Sequence, residues 1–153
     1  AGGVTRSSYA GCCLPTAIPD ANGHRTQYGY DALGNRTSMT DASGAVTSFT
    51  HDALGRRLSK TDANSHTTSY AYDPAGRLLS VADALGGVIS YTYDAHGNRL
   101  SETDANGHAA TYGYNVLDRL ETRTDALGHA AIYSYDAVGN RTSETEAKGH
   151  TTT

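Results

Sequence analysis

The sequence predicts an all-β repeat protein, and three observations carry that prediction. A 21-residue unit recurs without insertion or deletion from Asp20 onward. Each unit holds two turn signatures close to Asp-Ala-x-Gly, eleven residues apart in the first unit. The segments between turns run six or seven residues, a length that suits strands and is too short for helices.

The frame is set by Asp20, Asp41, Asp62, Asp83, Asp104 and Asp125, with Glu146 in the next slot. It defines an array over residues 20–153, six full units and a partial one. Residues 1–19 read as a degenerate copy: Gly2, Val4, Thr5 and Tyr9 lie 42 positions before Gly44, Val46, Thr47 and His51. Beginning and ending inside a unit, the chain is expected to be a section of a longer array.

The first element of a unit is a turn, as in Asp20-Ala21-Asn22-Gly23. Asp in first place can accept from the backbone two residues on, and Gly in fourth place tolerates the positive φ that follows a type I turn. The second element alternates: Thr26, Tyr28 and Tyr30 share one face, Gln27 and Gly29 the other. The aromatic slots recur as Phe49, then Tyr70 with Tyr72, Tyr91 with Tyr93, Tyr112 with Tyr114, and Tyr133 with Tyr135. A second turn follows, Asp31 to Gly34 in the first unit, then Asp73 to Gly76, Asp94 to Gly97 and Asp136 to Gly139. The last element starts with Arg and aliphatic residues, as in Arg57-Leu58 and Arg99-Leu100, and ends in Ser and Thr.

One unit is therefore expected to be one β-hairpin, and the units to join into an antiparallel sheet. An isolated hairpin is marginal in water, so neighbouring copies have to cover each other's Tyr rows. The twist natural to strands would coil a long array into a spiral or tube. A parallel β-solenoid with one 21-residue rung per unit fits the same period and is the alternative.

Composition narrows the function classes. The chain has no Trp, one Phe and one Met, against eleven Tyr and seventeen Gly, so aliphatic material for a close-packed core is scarce. Net charge is −4, and the twelve Lys and Arg form no basic run, which argues against nucleic acid. No apolar stretch approaches the roughly 20 residues that span a bilayer. No signal-peptide pattern or initiator Met opens the sequence. Cys12 and Cys13 are adjacent, about 3.8 Å apart at Cα and below the usual disulfide window, and no role is expected for them.

The pattern Gly-x4-Tyr-x-Tyr-Asp-x-x-Gly-Arg/Asn-Arg/Leu, read at Gly23–Arg36, Gly86–Arg99 and Gly128–Arg141, resembles the YD repeat of the RHS (rearrangement hotspot) family. The resemblance covers residues 20–153 strongly and 1–19 weakly. It implies large secreted or surface proteins, mostly bacterial, whose repeats form a long sheet spiralling into a hollow shell or a stalk. The family's self-cleaving segment and toxin domain have no counterpart in these residues, so the resemblance implies wall material only. Asn115, Asp118, Ser65 and His51 depart from the motif and are expected to weaken single turns without changing the architecture.

Candidate chemical sites each have a plainer reading. His24, His66, His108, His129 and His150 occupy one repeat position, which invites a metal. A polar residue just after a turn Gly explains them better. The Asp residues lack the spacing of calcium-binding nonapeptide repeats or EF-hands and read as turn formers. No Ser-His-Asp, Cys-His or paired-carboxylate arrangement stands out, and only His51 and His96 lack a repeat-level explanation. Asn35 and Asn140 begin sequons that matter only in a glycosylating host.

The expected function is thus structural, with no catalytic residue, cofactor or metal: part of an extracellular or cell-surface shell, stalk or filament. The expected partners are neighbouring repeats or further copies. Carbohydrate stacking on exposed Tyr rows, as in an adhesion module, and the wall of a toxin-enclosing cage are the alternatives.

Overall fold

The computed structural model describes residues 8–10, 14–146 and 151–152. Two compact units divide the chain, Ala1–Ala71 with Ala82–Leu85, and Tyr72–Val81 with Gly86–Thr153. Cys12, Cys13 and His150 lie outside the described residues.

The first unit carries β1 (Ser8–Ala10), β2 (Leu14–Pro19), β3 (Arg25–Tyr30), β4 (Arg36–Thr40), β5 (Val46–His51), β6 (Arg57–Thr61) and most of β7 (Thr67–Tyr72). Each pairs antiparallel with its chain neighbour, from β1 with β2 to β6 with β7. The second unit carries most of β8 (Leu78–Ala82), then β9 (Val88–Tyr93), β10 (Arg99–Thr103), β11 (Ala109–Tyr114), β12 (Leu120–Thr124), β13 (Ala130–Tyr135), β14 (Arg141–Thr145) and β15 (Thr151–Thr152). From β9 to β15 the antiparallel meander repeats. Neighbouring strands are therefore sequential and antiparallel, which excludes the solenoid. Equivalent positions sit two strands apart, about 10 Å.

Both turns of the 21-residue unit fold alike. In the first, Gly23 N–H donates to Asp20 C=O at 3.1 Å and Asp20 N–H to His24 C=O at 2.8 Å. The second repeats this at Gly34–Asp31 (3.1 Å) and Asp31–Asn35 (2.9 Å). This is a type I turn closed by a left-handed residue, the three-residue hairpin loop. The left-handed slot explains its Gly: φ is +84° at Gly23 and +85° at Gly34. Ser65 (φ 67°) and Asp118 (φ 57°) adopt the same conformation without being Gly. Their turn bonds persist at 3.0 Å each, so both departures keep the architecture at a backbone cost.

The two hairpins of a unit differ in register. Across the first turn the ladder is regular, as in Ala17↔Gln27, Ile18↔Thr26 and Pro19↔Arg25. Across the second turn it shifts: Gly29 faces Ser38, but Tyr30 faces Arg36, leaving Thr37 as an extra residue. The same bulge falls at Leu58, Leu100, Glu121 and Thr142. A one-residue slip exchanges sheet faces. Simple alternation from Met39 would put Arg36 on the face opposite the Tyr side chains; the bulge turns it onto theirs.

The sheet buries little. Among the described residues only Ala17, Phe49 and Asp73 are buried, and no side chain is below 2% exposed. The described Tyr side chains are half-buried rather than enclosed. Cohesion comes from lateral contact between strands, as the scarcity of aliphatic residues predicts.

Candidate functional site: the Tyr-Asp corner

The candidate site is the corner where an aromatic strand meets the second turn. Its organiser is the Asp carboxylate. Asp31 Oδ1 accepts from Leu33 N–H at 3.0 Å and Asn35 N–H at 2.8 Å, while Oδ2 accepts from Asn35 Nδ2 at 2.9 Å. Asp94 with Asn98, and Asp136 with Asn140, reproduce this arrangement. At Asp52 and Asp73 the partner is Arg, with Nε of Arg56 and Arg77 each 2.6 Å from Oδ2. Asn115 serves in place of Asp, its Oδ1 accepting from Leu117 N–H at 3.0 Å and Arg119 N–H at 3.1 Å.

These donors favour the charged form. The carboxyls of Asp31, Asp94 and Asp136 titrate below their ordinary range, foremost because the Asn side-chain amide donates to them. For Asp73 the backbone N–H of Arg77 is the largest cause.

The aromatic half of the corner is bound to Arg. Arg99 lies 4.7 Å from the Tyr112 ring centroid and 5.9 Å from that of Tyr91. Arg36 lies 5.9 Å from Tyr28 and 4.7 Å from Phe49, and Arg141 is 5.6 Å from Tyr133. An Arg one residue earlier in the corner covers the second Tyr of the next unit instead: Arg77 over Tyr93 at 5.0 Å, Arg119 over Tyr135 at 4.9 Å. These two also donate through Nη1 to the carbonyl of the next corner, at Asp94 (2.6 Å) and Asp136 (3.2 Å).

The second Tyr of the motif ties strands together through its hydroxyl. Tyr30 donates to Pro15 C=O (3.0 Å), Tyr93 to Leu78 C=O (2.9 Å), Tyr114 to Arg99 C=O (3.1 Å) and Tyr135 to Leu120 C=O (2.7 Å). Each acceptor lies fifteen residues back. In the first unit the described ladder between β2 and β3 ends at Ala17↔Gln27, so the hydroxyl closes the hairpin beyond its last ladder pair. Burial pushes the Tyr114 hydroxyl pKa up, keeping the proton that it donates. His51 holds this slot without a hydroxyl, and its Nδ1 is buried with no hydrogen-bond partner.

The other predicted residues fall where the repeat puts them. Tyr70, Tyr72, Asp73 and Gly76 form the corner after β7, with Asp73 buried. Gly97 and Gly139 hold positive φ at their corners. The His column lies on the opposite rim. Nδ1 of His24, His66, His108 and His129 sits 3.0–3.2 Å from Oδ2 of its own turn Asp. Sequence reasoning placed Arg after the second turn but missed that it stacks on the Tyr rings, although its recurrence four or five residues after the corner Asp or Asn was a usable signal. It also missed the bulge that aims the Arg.

One corner carries more than the repeat requires. Nδ1 of His96 is 3.0 Å from Asp118 Oδ1, and Asn98 Nδ2 donates to Asp118 Oδ1 (2.7 Å) and Asp94 Oδ2 (3.0 Å).

Six overlapping segments match the RHS Repeat family, at residues 14–46, 32–67, 51–88, 72–109, 93–130 and 114–151. No curated protein matches. Among solved structures, the crystal structure of TcdB2-TccC3-Cdc42 superposes with a TM-score of 0.77 at 21% identity, over 93% of this chain and 9% of that one. The Tc holotoxin pore of Photorhabdus luminescens gives 0.76 at 20% identity, over 96% and 9%. TcdB2-TccC3 gives 0.76 at 21% identity, over 96% and 10%. The chain thus spans about a tenth of the length of these structural relatives, and at this identity the likeness shows the fold.

Proposed function

Since this chain belongs to the RHS Repeat family, we propose that its repeats build the wall of an extracellular or cell-surface shell, stalk or filament. That the array is a structural scaffold of tandem repeats follows from the family and the fold. The surface setting, the bacterial source and the shape of the finished wall belong to the proposal. So do the absence of catalysis, the division into a divergent copy at 1–19 and an array at 20–153, and the structural role of the Tyr, Asp and Gly residues of the corners.

One observation carries the reading. Polar and aromatic groups of the Tyr-Asp corner reach neighbouring repeats: hydroxyl to the carbonyl fifteen residues back, guanidinium to ring and, at Arg77 and Arg119, guanidinium to the next corner's carbonyl. Successive units bring hydroxyl ties, ring contacts or both, so the assembly gains cohesion by extension. Electron microscopy of the chain and of a longer array tests it. Sheet-walled ribbons, tubes or shells that lengthen with repeat number are expected; a compact globule of fixed shape would sink the proposal.

A cage wall around a toxin is the second reading, supported by the likeness to TcdB2-TccC3. Carbohydrate stacking is supported less well, because Arg99, Arg119 and Arg141 already cover Tyr faces. Binding on a glycan array that disappears in Tyr112→Ala but persists in an Arg99→Ala variant would revive it.

A further inference from the structure

We propose that Asp94, His96 and Asp118 form a site for one divalent cation of the zinc class, strapped across two successive Tyr-Asp corners. One imidazole nitrogen and two carboxylate oxygens lie within 4.8 Å of one another. That mixed donor set suits a borderline ion such as zinc; magnesium and calcium prefer oxygen alone. His96 and Asp118 are both exposed, so the outer side of the ion would remain open to water.

The repeat supplies a second, independent observation. At the tip slot of this corner the other units carry Leu33, Leu54, Ala75, Leu117 and Val138; only position 96 is His. At the left-handed slot they carry Gly34, Gly55, Gly76, Gly97 and Gly139; only position 118 is Asp, despite the backbone cost. Two exceptional residues, one in each of two neighbouring corners, meet at 3.0 Å. Each replaces an unsuitable residue with a metal-ligating one.

Asn98 adds the outer shell. Its amide donates to both carboxylates, holding them face to face as hydrogen-bonded partners orient ligating carboxylates. The His-Asp pairs on the opposite rim, such as His108 with Asp104, offer one carboxylate each and serve as internal controls.

Calorimetric titration of the whole chain with zinc, read together with the histidine-ring NMR signals, tests the site. One ion per chain is expected, with the His96 ring signals shifting first. Asp118→Gly and His96→Leu each install the residue type carried at other corners, so both should fold and melt no lower than the parent without zinc. Each should weaken binding at least about tenfold, while His108→Ala leaves it unchanged. The proposal is overturned if no saturable binding occurs, if Asp118→Gly or His96→Leu binds as the parent does, or if the opposite-rim His signals shift first.

Discussion

The two rims of the sheet use one turn for different ends. On the Asp-His rim the His ring closes on its own loop: Asp125 Oδ2 holds His129 Nδ1 at 3.0 Å, and the bond stays within one turn. On the Tyr-Asp rim the same loop reaches outward. Arg119 stacks on Tyr135 and donates to Asp136 C=O, and Tyr135 returns a hydroxyl to Leu120 C=O. Arg after the turn makes the difference, directly after the left-handed residue at Arg77 and Arg119 and one position later at Arg36 and Arg99. A His ring, like the amide of Asn35 or Asn98, is short and closes on its own Asp, whereas Arg is long enough to reach the next unit. Turn chemistry thus fixes the local loop on both rims, while side-chain reach fixes which rim couples the repeats.

Acid should give the largest effect and strike both rims. The corner carboxyls of Asp31, Asp62, Asp73, Asp104, Asp125 and Asp136 titrate below the free value of 3.8 in the folded chain. A lowered folded pKa means that their contribution is complete above the free value and is lost as pH falls through the folded ones. Circular dichroism should show sheet loss below about pH 3. Hydrogen exchange should show the turn at Asn115, where an amide oxygen and not a carboxylate accepts the turn N–H groups, opening last. An intact sheet at about pH 2, or early opening at Asn115, would break the account.

Next in size is the contrast between rims. Arg119→Ala should lower stability by about 1–2 kcal/mol through lost ring contact and hydrogen bonding, while His129→Ala, an exposed pair, should leave the melting temperature almost unchanged. Equal losses in thermal melts would erase the distinction. A smaller effect isolates the hydroxyl tie: Tyr135→Phe should cost about 1 kcal/mol in denaturant unfolding. Tyr91→Phe, at a slot held by ring contact with Arg99, should cost less. An effect of similar size but opposite sign lies on the Asp-His rim. Ser65→Gly should stabilise by about 1 kcal/mol, because Ser65 holds φ 67° against its preference. No gain in melting temperature would mean that the left-handed slot is less strained than its φ indicates.

Much of the fold was legible because its determinants are local. The Asp-to-Gly spacing marks a type I turn wherever it occurs, and Tyr28-x-Tyr30 marks a strand with two faces. His24, His66, His108 and His129 were legible as the residues that follow each turn, although the Oδ2 that receives each ring was not visible in the pattern. The bulge at Thr37 escaped because alternation is counted along one strand, and a bulge exists only between two. Arg36 then sits on the aromatic face, opposite to its parity. His96 and Asp118 looked like unrelated lapses because they are 22 positions apart in the chain and neighbours only after folding.

The sequence by itself determined where this chain turns, how long its strands are and that the paired Tyr residues share one face, since each follows from the preferences of a few consecutive residues. Tertiary structure decided the antiparallel register, the bulge that reverses Arg, the hydroxyl ties fifteen residues back and the meeting of His96 with Asp118. Those depend on which strand lies beside which, and a repeat of fixed period is compatible with more than one way of stacking.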